Sequence, residues 1–209
     1  MHKDTRWIDL WPGFRVTDSR ITNDSAWLRL EPVRQLLRCG RCLGLADSVH
    51  DHCERSVREL PLAGRTVILQ VRLLRVNCPD CGPSIQRIRW LDRFARMTRA
   101  MAQAVARCCD KLPIKHVAQM FGLRWSTVQR LDKRRLTQIV TQLPRAQPQR
   151  LVMDEFALYK GHRYASVIMD ADSRQVLYVA EGRTRESIRP FFEELGPEGC
   201  KRIQAVAMD

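Results

Sequence analysis

The sequence has 209 residues, of which 44% are hydrophobic and 28% charged, and its formal net charge at pH 7 is +13. It contains no run of about 18 apolar residues and begins without the apolar core of a signal peptide, which argues against a membrane protein and against export. We therefore expect a cytoplasmic globular protein, whose eight cysteines stay reduced and serve a metal rather than disulfides.

The positive charge is concentrated in the first 150 residues. This part contains 28 Lys and Arg against 13 Asp and Glu, whereas residues 151–209 contain 8 against 10. Such a basic segment is typical of proteins that bind a polyanion such as nucleic acid. The alternative is a basic surface that only faces solvent.

Three strands are predicted in the first 80 residues. Phe14–Ile21 and Ala26–Val33 are short strands on either side of a turn, and Arg65–Val76 alternates apolar side chains on one face. The 35 residues between Cys42 and Cys78 exceed what a compact zinc ribbon needs. We expect a β-hairpin to fill this interval.

Two Cys-x2-Cys pairs flank that interval, Cys39 with Cys42 and Cys78 with Cys81. A thiolate pair at this spacing binds one metal from a tight knuckle, and two pairs complete a tetrahedral zinc site. Gly82 directly follows the second pair and allows the positive φ that such knuckles often need. The pattern predicts structural zinc in residues 1–92.

His50, His52 and Cys53 lie between the pairs and offer alternative ligands that could replace one thiolate. Because four cysteines already fill a tetrahedral site, we favour two surface histidines and a small buried cysteine.

From about Trp90 to Val140 the apolar period becomes helical. Met97, Met101 and Val105 follow three-and-four spacing, and Pro113 is expected to end that helix. The segment from Ile114 to Lys133 then fits a helix-turn-helix. Ala118 permits close helix packing, Gly122 suits a left-handed turn and Val128 points into a small core.

The second helix of this motif is predicted to enter the major groove of DNA, with Ser126 or Thr127 as its N-cap. Gln and Arg side chains suit base edges, whereas Lys133, Arg134 and Arg135 are expected at phosphates. The candidate DNA-binding residues are Ser126, Thr127, Gln129, Arg130, Lys133 and Arg134. The alternative is an ordinary pair of core helices joined by a glycine turn.

After a proline-containing linker at residues 143–150, the pattern changes to strands. The predicted elements are strands over 151–156, 164–170 and 175–180, a helix over 184–195 and a strand over 203–209. The first three strands are expected to form an antiparallel meander. Three strands, a helix and a further strand are the opening of an RNase-H-like fold, in which the first and fourth strands are neighbours.

Asp154 lies on the first of these strands and Asp209 at the end of the fourth. Two carboxylates on neighbouring strands would bind a hard cation such as Mg²⁺ for phosphoryl displacement. The alternative is two surface carboxylates at strand ends. Glu155, Asp170 and Asp172 are expected at turns or at the rim of the site.

Together these parts resemble bacterial insertion-sequence transposases of the ISL-three family, a member of the DDE class. The matching stretches are both cysteine pairs, the helix-turn-helix, and the segments 153–157 and 206–209. The resemblance implies an α+β multidomain fold. Its predicted parts are a β-rich zinc-ribbon domain at 1–92, a helical helix-turn-helix domain at 93–142 and an incomplete RNase-H-like α/β domain at 151–209.

The resemblance also implies roles for residues and partners. Asp154 and Asp209 would be the first two acids of the catalytic triad and would bind Mg²⁺ or Mn²⁺. Duplex DNA with terminal inverted repeats would be the ligand, at the nucleoid of the bacterial cytoplasm and away from membranes. A homo-oligomer on DNA is left open.

The family's third acid is a Glu on a helix beyond the second Asp, and this sequence stops at Asp209. We therefore expect weak metal binding and little or no strand transfer from this chain alone. The alternative hypothesis is a non-enzymatic DNA-binding repressor derived from a transposase. A zinc-ribbon RNA-binding module is disfavoured, because a helix-turn-helix indicates duplex DNA.

Overall fold

The computed structural model describes residues 10–33, 37–144, 146–161 and 163–208. Contacts divide the chain into two units, Met1–Thr141 and Gln142–Asp209. The described residues contain four helices and two β-sheets, in agreement with the expected mixture of helices and strands. None of these helices is both long and apolar enough to cross a membrane. The finer division of the chain at residues 92 and 142 stays a prediction.

A five-stranded sheet forms the first part of the first unit. Its strands are β1 (Phe14–Ile21), β2 (Ser25–Pro32), β3 (Ser48–Leu62), β4 (Arg65–Cys78) and β5 (Gly82–Ile85). Their order is β1-β2-β4-β3, and β5 pairs with β4. β2 and β4 run parallel, whereas the other neighbours are antiparallel. The three strands predicted from sequence are confirmed as β1, β2 and β4.

Alternating apolar side chains make β4 the centre of the first hydrophobic core. Val67, Leu69, Val71 and Leu73 are at most 3% exposed, because every second side chain of a strand points to the same face. The rest of this core is supplied by β2, β3 and the segment after β5, with Ala26, Leu30, Val57, Ile88, Trp90 and Leu91.

The predicted hairpin between the cysteine pairs is confirmed as β3 and β4, which pair from Ser48–Asn77 to Leu62–Arg65. No residue range was predicted for β3 from the sequence. It has charged residues at many positions, and Val57 is its only fully buried residue. Its length comes from pairing with the apolar β4 rather than from its own pattern.

Three helices complete the first unit: α1 (Arg99–Cys108), α2 (Ile114–Phe121) and α3 (Trp125–Gln142). Together they bury a second small core of Met101, Val105, Val117, Ala118, Phe121 and Val128.

The prediction that helical structure begins near Trp90 is wrong, since Trp90 lies in the core of the first sheet. α1 begins after Thr98, whose hydroxyl accepts a hydrogen bond from the Met101 N–H at 3.2 Å and so caps the helix. Pro113 does not end α1, which stops at Cys108. Pro113 instead holds the N-cap position of α2, where its missing N–H is tolerated.

The second unit is a four-stranded sheet with one helix. Its elements are β6 (Arg150–Tyr159), β7 (Arg163–Asp170), β8 (Val176–Glu181), α4 (Arg185–Lys201) and β9 (Ala205–Met208). The sheet order is β8-β7-β6-β9, with β9 parallel to β6 and the other pairs antiparallel. The predicted meander is confirmed, and so is the prediction that the first and fourth strands are neighbours.

The amphipathic helix α4 buries one face against this sheet. Phe191 packs with Leu151 and Ile168 in the third core. The helix extends six residues beyond the predicted Leu195, to Lys201, across a kink at Gly196 with φ of 74°. The predicted helix ended directly before this glycine.

Candidate functional site

Four cysteines from the two predicted pairs come together beside the first sheet. The Sγ atoms of Cys39, Cys42, Cys78 and Cys81 all lie within 4.8 Å of one another. Zinc bound to four sulfurs at about 2.3 Å requires S–S separations of about 3.8 Å. The donor set and its spacing therefore fit structural zinc. Gly82 has the predicted positive φ, at 67°.

These thiols change one another's ionisation. Burial raises the pKa of Cys39, but hydrogen bonds from Ser84 and from the N–H groups of Arg41 and Cys42 outweigh burial and lower it to about 6. Hydrogen bonding to Cys42 and burial raise the pKa of Cys81 to about 12. Zinc binds thiolates, so its binding at neutral pH must displace the proton of Cys81.

The alternative ligands lie on β3, outside this cluster. His50 Nδ1 is 3.2 Å from Asp51 Oδ2, and the ring of His52 lies beside the Arg72 guanidinium at 3.3 Å. Cys53 packs against the first core. Within the described ranges, no other group of three or more His, Cys, Asp or Glu could hold a metal. The structure therefore favours the four-cysteine set.

Helices α2 and α3 form the predicted helix-turn-helix. Ala118 is 6% exposed and Val128 is fully buried. Gly122 has φ 58° and ψ 44°, the left-handed conformation that glycine adopts without steric cost. The Leu123 N–H then donates to the Ala118 carbonyl at 2.8 Å, which closes the turn. The remaining predicted apolar residues pack in the same core: Val117, Phe121, Leu123 and Leu131.

All candidate DNA-binding residues lie on α3. Thr127 is half-buried and the other five are exposed: Ser126, Gln129, Arg130, Lys133 and Arg134. The predicted N-cap at Ser126 or Thr127 is wrong, because α3 begins at Trp125. Arg124 and Trp125 are also exposed at this end of the helix. Sequence reasoning missed both, although their position just before the candidate residues was the available signal.

The prediction that Arg135 contacts phosphates is wrong. Its guanidinium lies 2.6 Å from Asp110 Oδ1 and 2.9 Å from Asp132 Oδ1, and its side chain is 19% exposed. The hydrogen bond to Asp132 raises the pKa of Arg135. Arg135 therefore links α3 to the turn after α1, and its charge is neutralised within the protein.

A second contact joins the helix-turn-helix to the first sheet. Arg58 on β3 donates from its terminal guanidinium nitrogen to the Phe121 carbonyl at 3.0 Å, directly before the turn glycine. Glu59 accepts hydrogen bonds from the Thr98 hydroxyl and the Trp11 indole, both at 2.8 Å. β3 thus positions both α1 and the turn before α3.

In the second unit, Asp154 is exposed on β6 and lines a cavity of about 330 Å³. Its Oδ1 accepts a hydrogen bond from the Glu155 N–H at 2.7 Å. The preceding residue, Met153, pairs with Met208 at the end of β9, and both methionines line the same cavity. Asp209, the second predicted acid, lies outside the described residues.

The other carboxylates near this sheet have the peripheral positions expected of them. Glu155 lines the cavity beside Asp154. Asp170 holds the turn between β7 and β8, since it accepts hydrogen bonds from the Ser173 hydroxyl at 2.6 Å and the Asp172 N–H at 3.2 Å. The bond from Ser173 lowers the pKa of Asp170. Asp172 in turn pairs with Arg150.

Three family models match successive segments of the chain. The zinc-finger of transposase IS204/IS1001/IS1096/IS1165 matches residues 35–81, and the helix-turn-helix domain of transposase family ISL3 matches residues 86–136. The ISL3 DDE transposase model matches residues 151–209. No solved structure matches the chain.

Known relatives carry the same assignment. The chain is 39% identical over 203 residues to the transposase for insertion sequence element IS1001 of Bordetella parapertussis, covering 95% of this chain and 50% of that protein. It is 30% identical over 204 residues to the transposase for element IS1557 of Mycobacterium tuberculosis, covering 96% and 44%. The chain thus spans about half the length of these relatives. Because three models of transposase domains match consecutive segments and these relatives are similar along almost the whole chain, the chain belongs to the ISL3 family of insertion-sequence transposases.

Proposed function

We propose that this chain recognises the terminal inverted repeats of an insertion sequence and carries two acids of a metal-dependent strand-transfer site. The observation that carries the proposal is the combination of an exposed, basic α3 with a sheet whose neighbouring strands β6 and β9 meet beside Asp154. The assembled transposase would act on the nucleoid of the bacterial cytoplasm, cutting the element's ends and joining them to new DNA.

In this proposal α3 enters the major groove of the duplex. Gln129 and Arg130 have the donor geometry for bidentate contacts to adenine and guanine edges. Lys133 and Arg134 would neutralise phosphates and set the register of the helix. Arg124 and Trp125 lie at the N-terminal end of α3, the end that lies closest to bases in this docking mode. Their exposure supports adding them to the interface.

Zinc would stabilise the end of the first sheet through Cys39, Cys42, Cys78 and Cys81. Its role is structural, because four thiolates leave no open coordination position for substrate. The zinc site and the helix-turn-helix are joined through the sheet, since Arg58 of the hairpin bonds to the Phe121 carbonyl. Zinc binding therefore supports the placement of α3.

The catalytic part of the proposal concerns Asp154 and Asp209. Met153 and Met208 are paired in parallel register, and each acid is the next residue in the sequence after one of them. This supports a shared cation site for Mg²⁺ or Mn²⁺. Asp154 Oδ1 accepts one backbone hydrogen bond, and both carboxylate oxygens keep lone pairs for a cation. A bound divalent ion would activate water and stabilise the phosphoryl oxygens during displacement.

Replacing Arg130 with alanine should lower affinity for the recognised sequence by about tenfold to a hundredfold and leave non-specific affinity nearly unchanged, because a bidentate base contact provides about 1–3 kcal/mol of discrimination. Fluorescence anisotropy with duplexes selected from a random pool measures both affinities. Lys133→Ala should instead weaken binding to all sequences alike. Arg107→Ala, an exposed arginine on α1, is the charge-matched control. Unchanged sequence preference in Arg130→Ala would remove this residue from base recognition.

Replacing Asp154 with asparagine should weaken Mn²⁺ binding by at least about tenfold while DNA affinity stays unchanged, since a hard cation loses an anionic oxygen ligand. Electron paramagnetic resonance of Mn²⁺ titrations measures the first quantity and gel shift the second. Glu198→Gln makes the same charge change on α4 in an exposed pair with Lys201 and should leave Mn²⁺ binding intact. Equal Mn²⁺ binding by wild type and Asp154→Asn would favour the non-enzymatic repressor.

A further inference from the structure

The cavity beside Asp154 has a charge pattern that a cation site alone does not explain. Its lining includes two acids, Asp154 and Glu155, and two arginines, Arg183 and Arg185. Two guanidinium groups beside a carboxylate oppose the binding of a free divalent cation by Coulomb repulsion. The pattern becomes favourable when the cation arrives with an anion that the arginines can bind.

Both arginines are available for such an anion. Within the described part of the second unit, neither forms an ion pair, although an acid lies within two positions of each of them in the sequence. Glu181 pairs with Arg163 at 2.6 Å, and Glu186 lies 3.9 Å from Arg189. Among the described residues, these two carboxylates are thus engaged with other arginines and do not pair with Arg183 or Arg185.

Hydrogen bonds and an aromatic contact hold the turn that carries these arginines. Gly182 has φ of +105°, and a Cβ atom there would clash with Ser187 Oγ. Its N–H donates to the Tyr164 carbonyl at 2.7 Å, and its carbonyl accepts from the hydroxyl of Ser166, a buried residue of the cavity wall, at 2.8 Å. The Arg183 guanidinium stacks 4.8 Å from the centre of the Tyr164 ring. A side chain held this way loses less entropy on binding.

The amide groups at the start of α4 do not provide this site. The Glu186 carboxylate accepts hydrogen bonds from its own N–H and from the Thr184 hydroxyl, which lowers its pKa. The positive end of the helix is thus already matched by an acid of the protein. The anion-binding capacity lies in the two guanidinium groups.

We propose that Arg183 and Arg185 form a clamp for a backbone phosphate of the DNA strand at the Asp154 cavity. The clamp deepens the proposed function and rests on it, since it supplies the anionic partner that a metal at Asp154 would share. Guanidinium groups bind phosphate oxygens through paired N–H donors. The clamp would hold the strand without reading its sequence.

Protection from an arginine-selective dicarbonyl reagent tests the clamp in the full chain. The protein is labelled with and without excess random-sequence DNA duplex at low ionic strength, and labelled sites are located by mass spectrometry. Arg183 and Arg185 should react severalfold more slowly with DNA, whereas the ion-paired Arg163 and Arg189 should not change. Arg134 on α3, a proposed phosphate contact, reports DNA binding itself.

The outcomes separate the two proposals. Protection of Arg134 without Arg183 and Arg185 would overturn the clamp and leave DNA binding by α3 standing. No protection anywhere would overturn both. Equal protection of the clamp and its ion-paired neighbours would indicate unspecific coverage and would also overturn it.

A substitution gives an independent measure. Arg183→Ala with Arg185→Ala should reduce the slope of log affinity against log salt by about 0.9, the value for one neutralised phosphate. Arg163→Ala with Arg189→Ala removes the same charge from the same unit and should change the slope less. Equal slopes for the two double variants would contradict the clamp.

Discussion

Replacing Cys78 with serine should abolish stoichiometric zinc binding and lower the melting temperature by about 10 °C or more. Structural zinc contributes about 10–16 kcal/mol on binding to cysteine sites, whereas a whole domain is stable by about 5–15 kcal/mol. Loss of even a few kcal/mol shifts the melting temperature of a domain this size by about 10 °C. Mass spectrometric metal analysis and calorimetry measure the two effects.

Cys200 provides the matched control for this experiment. It is half-buried on α4, outside the cluster, with its Sγ 3.7 Å from the Phe192 carbonyl. Cys200→Ser makes the same atomic change and should leave zinc content intact. If Cys78→Ser keeps one zinc per chain, the four-cysteine assignment is wrong.

Replacing Val128 with aspartate should eliminate detectable DNA binding. Val128 is fully buried in the small core between α2 and α3, and an unpaired carboxylate there costs about 4 kcal/mol or more. Such a core has few other residues to compensate, so α3 would lose its fixed position. Gel shift measures DNA binding, and circular dichroism measures the accompanying loss of helix.

Val140 is the internal control, since it lies on the same helix and is 64% exposed. Val140→Asp should keep both helix content and DNA binding close to wild type. If Val128→Asp binds DNA as tightly as Val140→Asp, α3 is not a recognition helix.

The elements that could be predicted from sequence are those whose residues specify them locally. β4 has strict apolar alternation, and the helix-turn-helix has Ala118, Gly122 and Val128 at fixed spacing. The cysteine pairs predicted their own convergence, because two-residue spacing shapes a knuckle without help from the rest of the fold. Each of these signals lies within one element or one turn.

The features that escaped prediction depend on partners distant in sequence. β3 is a strand because β4 pairs with it, and Trp90 is buried because the sheet covers it. Arg135 was predicted to contact phosphates, but in the folded chain it forms an ion pair with Asp110, which lies 25 positions earlier in the sequence. The charge of a side chain is written in the sequence, but its neutralisation depends on the folded contacts.

The bond from Arg58 to the Phe121 carbonyl limits how this protein can be recombined with its relatives. A chimera joined between β5 and α1 would place a foreign turn against the native Arg58 guanidinium, whose buried Nε has no hydrogen-bond partner among the described residues. Loss of the Phe121 carbonyl as an acceptor would leave a partly buried charged donor without this hydrogen bond, at the contact between β3 and the turn before α3. A chimera designed to bind a different DNA sequence should therefore take Arg58 and helices α1 to α3 from the same parent protein.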